Sequence, residues 1–305
     1  MRIVLMKLIV PVSVLLASAA LTSGCAAFTD DSVGLDNGVQ VAAAFYPLAW
    51  VAERVGGGDV EVENLTAPGG EPHDLEPTVR ETADVAQADL VVYERGFQPA
   101  VDDTVDENAE GAAVDAAQVV DLVPFRDHGV DSPEDDPHFW QDPLLLADVG
   151  DAVAEQLADV DREHASDYRA NAATLRADLE RLDQEYAEGL ADCERDTVVV
   201  SHDAFGYLQR YGLTMETILG LSPDSEPTPA DLGRLQDLIR TEGVTTVFSE
   251  SLVSADVADQ LARDTGVRSA VLDPIEGLTD QTADEDYLSL MRSNLAALKE
   301  ANGCA

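Results

Sequence analysis

Two hydrophobic rhythms alternate along this chain. Short apolar runs rich in Val and Ala occur at 39–45 (VQVAAAF), 60–65, 88–93 (ADLVVY) and 114–121. They recur at 197–201 (TVVVS), 215–219, 244–248 and 268–272. Their length and β-branched content predict strands. Between them, apolar residues return every three or four positions at 49–57, 78–87, 203–211, 229–242, 255–265 and 284–301, which predicts helices. Strands alternating with helices at this spacing imply βαβ units, parallel sheets and an α/β fold. The middle of the chain differs. From Asp161 to Cys193 there is no Pro and no Gly before Gly189, and the apolar stripe is Tyr168, Ala172, Leu175, Leu179, Leu182 and Tyr186. A helix from 163 to 190 would be about 40 Å long at ~1.5 Å per residue. The expected architecture is two lobes, each a parallel-type sheet flanked by helices, joined by one long rigid helix. Such a connector limits hinge motion, so ligand capture should need little rearrangement.

The N-terminus follows neither rhythm. Arg2 and Lys7 flank a basic start, and Leu8–Leu21 is a continuous apolar run. At about 14 residues the run is short of the ~20 needed to cross a bilayer but suits the core of a signal peptide. Thr22-Ser23-Gly24 then leads to Cys25, a placement expected of lipoprotein processing and lipidation at Cys25. Residues 1–24 are expected to be removed. A polar, lipid-anchored tether at 25–37 would precede an N-terminal lobe at 38–160, a connecting helix at 161–191 and a C-terminal lobe at 192–305. The protein is thus expected outside the cell, on the outer face of the membrane. An exported chain meets oxidising conditions, so the remaining pair, Cys193 and Cys304, is expected to form a disulfide.

Charge narrows the partners. Sixty Asp and Glu stand against 18 Lys and Arg, a formal net charge of −42, and the lysines are Lys7 and Lys299. Such a surface repels nucleic-acid phosphates and anionic headgroups. The imbalance also fits a high-salt habitat or a GC-rich genome.

Three of the five histidines keep unusual company. His73 lies in Glu71-Pro-His-Asp-Leu-Glu-Pro-Thr78, His138 in Asp136-Pro-His-Phe-Trp-Gln-Asp-Pro143, and His202 in Val199-Val-Ser-His-Asp-Ala-Phe-Gly206. All three are at loop positions, and His73 and His202 follow predicted strands. Asp273, in Leu272-Asp-Pro-Ile-Glu-Gly277, is placed similarly, although Asp before Pro is also a common turn former. Ligands of open α/β sheets bind beyond the strand carboxyl ends. Three imidazoles and one carboxylate suit a divalent transition metal, with zinc favoured. Glu250 ends a strand and is placed to accept from a ligand imidazole; Asp203 and Glu76 are weaker choices for that role. His164 reads as a surface residue, and Trp50 and Trp140 as packing residues.

The segments EPHDLEPT, DPHFWQDP, VVSHDAFGYL and LDPIEGL, in that order, resemble the metal-ligand motifs of the substrate-binding proteins of zinc- and manganese-importing ABC transporters, the ZnuA/TroA-like metal-binding lipoproteins. The likeness covers nearly all of the chain after the leader. It implies one metal in the cleft between lobes, held by His73 and His138 from one side and His202 and Asp273 from the other. It also implies a membrane permease as partner, and a monomer is expected. His at the third ligand position goes with zinc in this family, and Glu there with manganese, so zinc is expected, with manganese or iron the alternative. Many zinc-type members carry a long His-rich loop between the first two ligands. Here that loop is short and acidic, FRDHGVDSPEDD, with His128 alone. No His-Glu-x-x-His, Gly-x-Ser-x-Gly or phosphate-loop pattern occurs, so a carrier is preferred to a secreted metallohydrolase or an adhesin.

Overall fold

The computed structural model describes residues 38–127 and 130–305. The expected signal peptide, Cys25, the tether and His128 lie outside the described residues. No helix among the described residues is long and apolar enough to cross a membrane.

The first sheet is built from β1 (Val39–Ala43), β2 (Val60–Asn64), β3 (Leu90–Tyr93) and β4 (Ala112–Asp115), all parallel, in the order β2-β1-β3-β4. The second has β7 (Thr197–Val200), β8 (Thr214–Thr217), β9 (Thr246–Ser249) and β10 (Arg268–Val271), also parallel, in the order β10-β9-β7-β8. Read from the other edge, this is the strand order of the first sheet. Sequence pattern explains the placement. The inner strands β3, β7 and β9 are apolar runs buried along their whole length, whereas β2 alternates and takes an edge. Between the sheets in sequence, β5 (Pro124–Asp127) and β6 (Val130–Asp135) form an antiparallel hairpin.

Helices α1 (Tyr46–Gly56), α2 (Val79–Gln87), α3 (Pro99–Asn108), α4 (Ala116–Val119) and α5 (Pro143–Val160) belong to the first half of the chain. α6 (Ala165–Gly189) follows, then α7 (Pro229–Glu242), α8 (Asp256–Thr265) and α9 (Tyr287–Asn302). Several predicted boundaries move. The expected strand at 114–121 is β4 followed by α4, because the Asp115 carboxylate accepts from Ala117 N at 3.1 Å and starts a helical turn. The expected helix at 203–211 is a 3₁₀ segment, Gly206–Tyr211.

The long mid-chain helix is α6, and its buried stripe is Tyr168, Ala172, Leu175, Leu179, Leu182 and Tyr186. It does not stand alone. α5 runs antiparallel beside it, with Arg169 paired to Glu155 and Arg176 to Asp148 and Asp151. From its second turn to its middle α6 reaches α1, where Asn171 donates to Val55 O and Arg54 meets Asp178 at 2.8 Å. At its end it reaches α9, where the Tyr186 hydroxyl donates to Met291 O at 2.6 Å. One continuous core joins both sheets through this helix, and a smaller cluster around Val199, Leu235 and Leu261 serves the second sheet. Cys193 and Cys304 form a disulfide across 111 residues that ties the end of the chain to the entry of the second half.

Candidate metal centre

His73 sits in the long loop after β2. Thr78 closes that loop by starting α2 with a reciprocal capping pair to Glu81. Gln98 donates to Pro72 O at 2.9 Å, and the Phe97 ring stands edge-on to His73 at 4.7 Å. From the second half, Leu278 O accepts from Gly69 N at 2.7 Å, where the chain adopts φ +78. His138 lies between β6 and α5, fully buried against Trp140. His202 follows β7 and is also fully buried.

The fourth member of the cluster is Glu276, in the loop after β10. The Oε1 of Glu276 is 3.4 Å from His73 Nε2, 3.5 Å from His138 Nε2 and 3.3 Å from His202 Nε2. All four donor atoms lie within 4.8 Å of one another. A tetrahedron with bonds of about 2.0–2.1 Å has edges of about 3.3–3.4 Å, so these three edges are already at the spacing zinc requires. None of the four atoms has a hydrogen-bond partner, and all are buried. Buried polar atoms without partners are rare, and four converging on one point form a ready cation site.

Carboxylates set the imidazole tautomers. Asp136 Oδ1 is 2.8 Å from His138 Nδ1 and also accepts from His138 N. Glu250 Oε2 is 2.7 Å from His202 Nδ1, while its Oε1 accepts from His202 N at 2.9 Å. In the neutral ring each carboxylate holds the proton on Nδ1 and leaves the Nε2 lone pair facing inward. Burial works against charge on His202, but Glu276 and Glu250 outweigh it and push the imidazole up to about 10. His138 is raised too, with Asp136 and Glu276 overcoming burial. Burial would lift the Glu276 carboxyl, but the imidazoles, His202 foremost, hold it well below its ordinary range.

The structure therefore brings His73, His138 and His202 together and places Glu250 behind His202. Asp273 stands outside the cluster. Its Oδ1 accepts from Ile275 N at 2.8 Å, and its own backbone is gripped by the Asn294 side chain at 2.9 and 2.6 Å. This is the turn-forming role of Asp before Pro. Ile275 then takes φ +61, unusual for a β-branched residue, and the next residue is Glu276. The sequence signal that could have found Glu276 was the second carboxylate of the same Asp-Pro-Ile-Glu loop. Glu76 is exposed, and neither it nor Asp203 is among the four. His164 is part-exposed at the start of α6 and pairs with Asp161 at 2.6 Å. Trp50 packs on Tyr287 at 4.9 Å. Trp140 does more than pack. Its Nε1 donates to Pro274 O at 2.8 Å, and Gln141 donates to the same oxygen, so the loop of His138 holds the loop of Glu276.

The family model described as "Zinc-uptake complex component A periplasmic" matches residues 41–301. The zinc-binding lipoprotein AdcA of Streptococcus pneumoniae is 32% identical over 302 residues, covering 93% of this chain and 60% of that protein. This chain spans little more than half the length of the AdcA relatives it matches. The high-affinity zinc uptake system protein ZnuA of Bacillus subtilis is 30% identical over 279 residues, covering 86% of this chain and 87% of that protein. Among solved structures, the Zn(II)-bound ZnuA-like domain of AdcA from Streptococcus pneumoniae superposes with a TM-score of 0.76 at 31% identity, over 87% of this chain and 99% of that one. The laminin-binding adhesin Lmb of Streptococcus agalactiae gives a TM-score of 0.79 at 28% identity, over 87% of this chain and all of that one. With the family model covering most of its length and the same two-lobed α/β architecture, the chain belongs to the ZnuA family of zinc-uptake substrate-binding proteins.

Proposed function

We propose that this protein captures Zn²⁺ outside the cell and delivers it to a membrane ABC importer, with His73, His138, His202 and Glu276 as the ligands. The observation that carries this reading is the set of four converging buried donor atoms without hydrogen-bond partners, with the carboxylate oxygen of Glu276 at tetrahedral-edge spacing from each imidazole Nε2. Three imidazoles and one carboxylate oxygen suit zinc better than manganese, which prefers oxygen-rich octahedral shells. With four protein ligands converging, little room is left for the open position a hydrolytic zinc needs, so the protein acts as a carrier rather than an enzyme. Export, lipidation at Cys25, the division into lobes at 38–160 and 192–305 around the connecting helix, and a monomeric state complete the proposal.

The test is a zinc titration against a competing chelator, with metal content read by mass spectrometry. The parent should hold one zinc per chain in preference to manganese. Glu276→Ala should weaken binding by orders of magnitude. Asp273→Ala should lower thermal stability and weaken zinc far less. If Asp273→Ala abolished zinc binding while Glu276→Ala left it unchanged, the ligand set would be wrong.

A further inference from the structure

Three of the four cluster residues are fully or almost fully buried, and His73 alone among them borders open space. A cavity of about 640 Å³ lies against His73 and touches none of the other three. Its walls carry the acids Glu94, Asp121, Glu134 and Asp135 and one cation, Arg95, and Leu221 closes it from the second half of the chain.

Glu94 is the anomaly. It is 2% exposed, and neither carboxylate oxygen has a hydrogen-bond partner. Burial first, and then the like charges of Asp136, Asp115 and Asp102, push its carboxyl well up. The neighbouring cation does not relieve it, since Arg95 is held by Asp106 at 2.6 Å and by the Tyr93 hydroxyl at 2.8 Å. A carboxyl so placed keeps its proton until a cation displaces it, and the cavity it lines is large enough for a hydrated ion.

We propose that this cavity is a second divalent-cation site, anchored by Glu94, which receives the hydrated ion before it passes His73 into the four-donor cluster. The inference rests on the metal-carrier reading. Oxygen donors alone bind a transition metal weakly and leave most of its water in place, as a staging site requires. The imidazoles beyond then complete dehydration, so selection among metals belongs to the inner site.

Zinc-saturated protein in about 1 M KCl, where the Debye length falls to about 3 Å and diffuse surface binding fades, is titrated with Mn²⁺, and free Mn²⁺ is read by electron paramagnetic resonance. The parent should take up one further, weakly held Mn²⁺. Glu94→Gln should weaken that uptake by about tenfold or more while retaining its zinc. In stopped-flow mixing, Glu94→Gln should load zinc several-fold more slowly at unchanged equilibrium affinity. Equal Mn²⁺ uptake by zinc-loaded parent and variant, or equal loading rates, overturns the proposal. Should Glu94→Gln not fold, Asp121→Asn on the exposed wall must weaken Mn²⁺ uptake in the same sense, and no change there overturns it equally. A parent that retains no zinc would fail the carrier reading, and Mn²⁺ uptake by parent against Glu94→Gln would still decide the cavity site.

Discussion

Glu250 binds His202 twice, through the backbone N–H and through Nδ1. It fixes the loop and the ring together. Glu250→Gln should therefore weaken zinc about 10–100-fold, because the acceptor that makes Nε2 more basic loses its charge. The same residues set the pH response. Without metal, His202 is raised to about 10 from an ordinary 6.5. A folded value above the unfolded one stabilises the metal-free protein fully below about 6.5 and is lost as pH rises through about 10. Zinc needs the neutral ring, so binding expels protons near neutrality and affinity rises with pH. Calorimetry in buffers of different ionisation enthalpy should show proton release on zinc binding. Melting of the metal-free protein should weaken between neutral pH and pH 10. A zinc enthalpy independent of buffer would count against the protonated cluster. At this scale the sequence was readable in part. Loop histidines after strands announce themselves by position, and the fold brings all three together. The choice between Asp273 and Glu276 was not readable, because it depends on the left-handed backbone at Ile275 and on the grip of Asn294, 21 residues away.

Among the elements, α6 carries the largest mechanical role. Its stripe was legible because six buried positions keep helical spacing through 25 residues without a break. α5 escaped the pattern reading although it is 18 residues long, since its apolar residues lie on more than one face, against α1 as well as α6. α3 was also missed. Its ten residues are rich in acids and only Val101 and Val105 are buried. The pairing of α5 with α6 makes the connector a two-helix beam rather than a single rod. Leu179 is fully buried on that beam. Leu179→Ala should cost about 2–5 kcal/mol in chemical denaturation, with zinc affinity of the folded protein nearly unchanged. A loss of zinc affinity at preserved stability would show the beam to be part of the site.

For the whole molecule, the disulfide and the charge have separable effects. Removing both cysteines (Cys193→Ser with Cys304→Ser) should lower stability by about 4–5 kcal/mol on the chain-entropy estimate for a loop of this length. Zinc affinity should be preserved, because the bridge lies away from the cluster. Urea denaturation with and without reductant on the parent gives the same comparison. The acidic surface is a property of another kind. Among the described residues, Glu276 is the one carboxylate of the four-donor cluster. The charge of −42 therefore bears on solubility and on cation encounter, whereas selectivity is local.

The two sheets share one strand order, and the cluster takes two donors from the first half of the chain and two from the second. In the language of chelation, each half is a bidentate ligand of modest strength. The beam and shared core hold the pair at a high effective concentration, which makes them tetradentate. A permease that parted the halves by a fraction of a bond length would return the ion to two weak chelators. Tight capture and prompt release can thus use the same four residues.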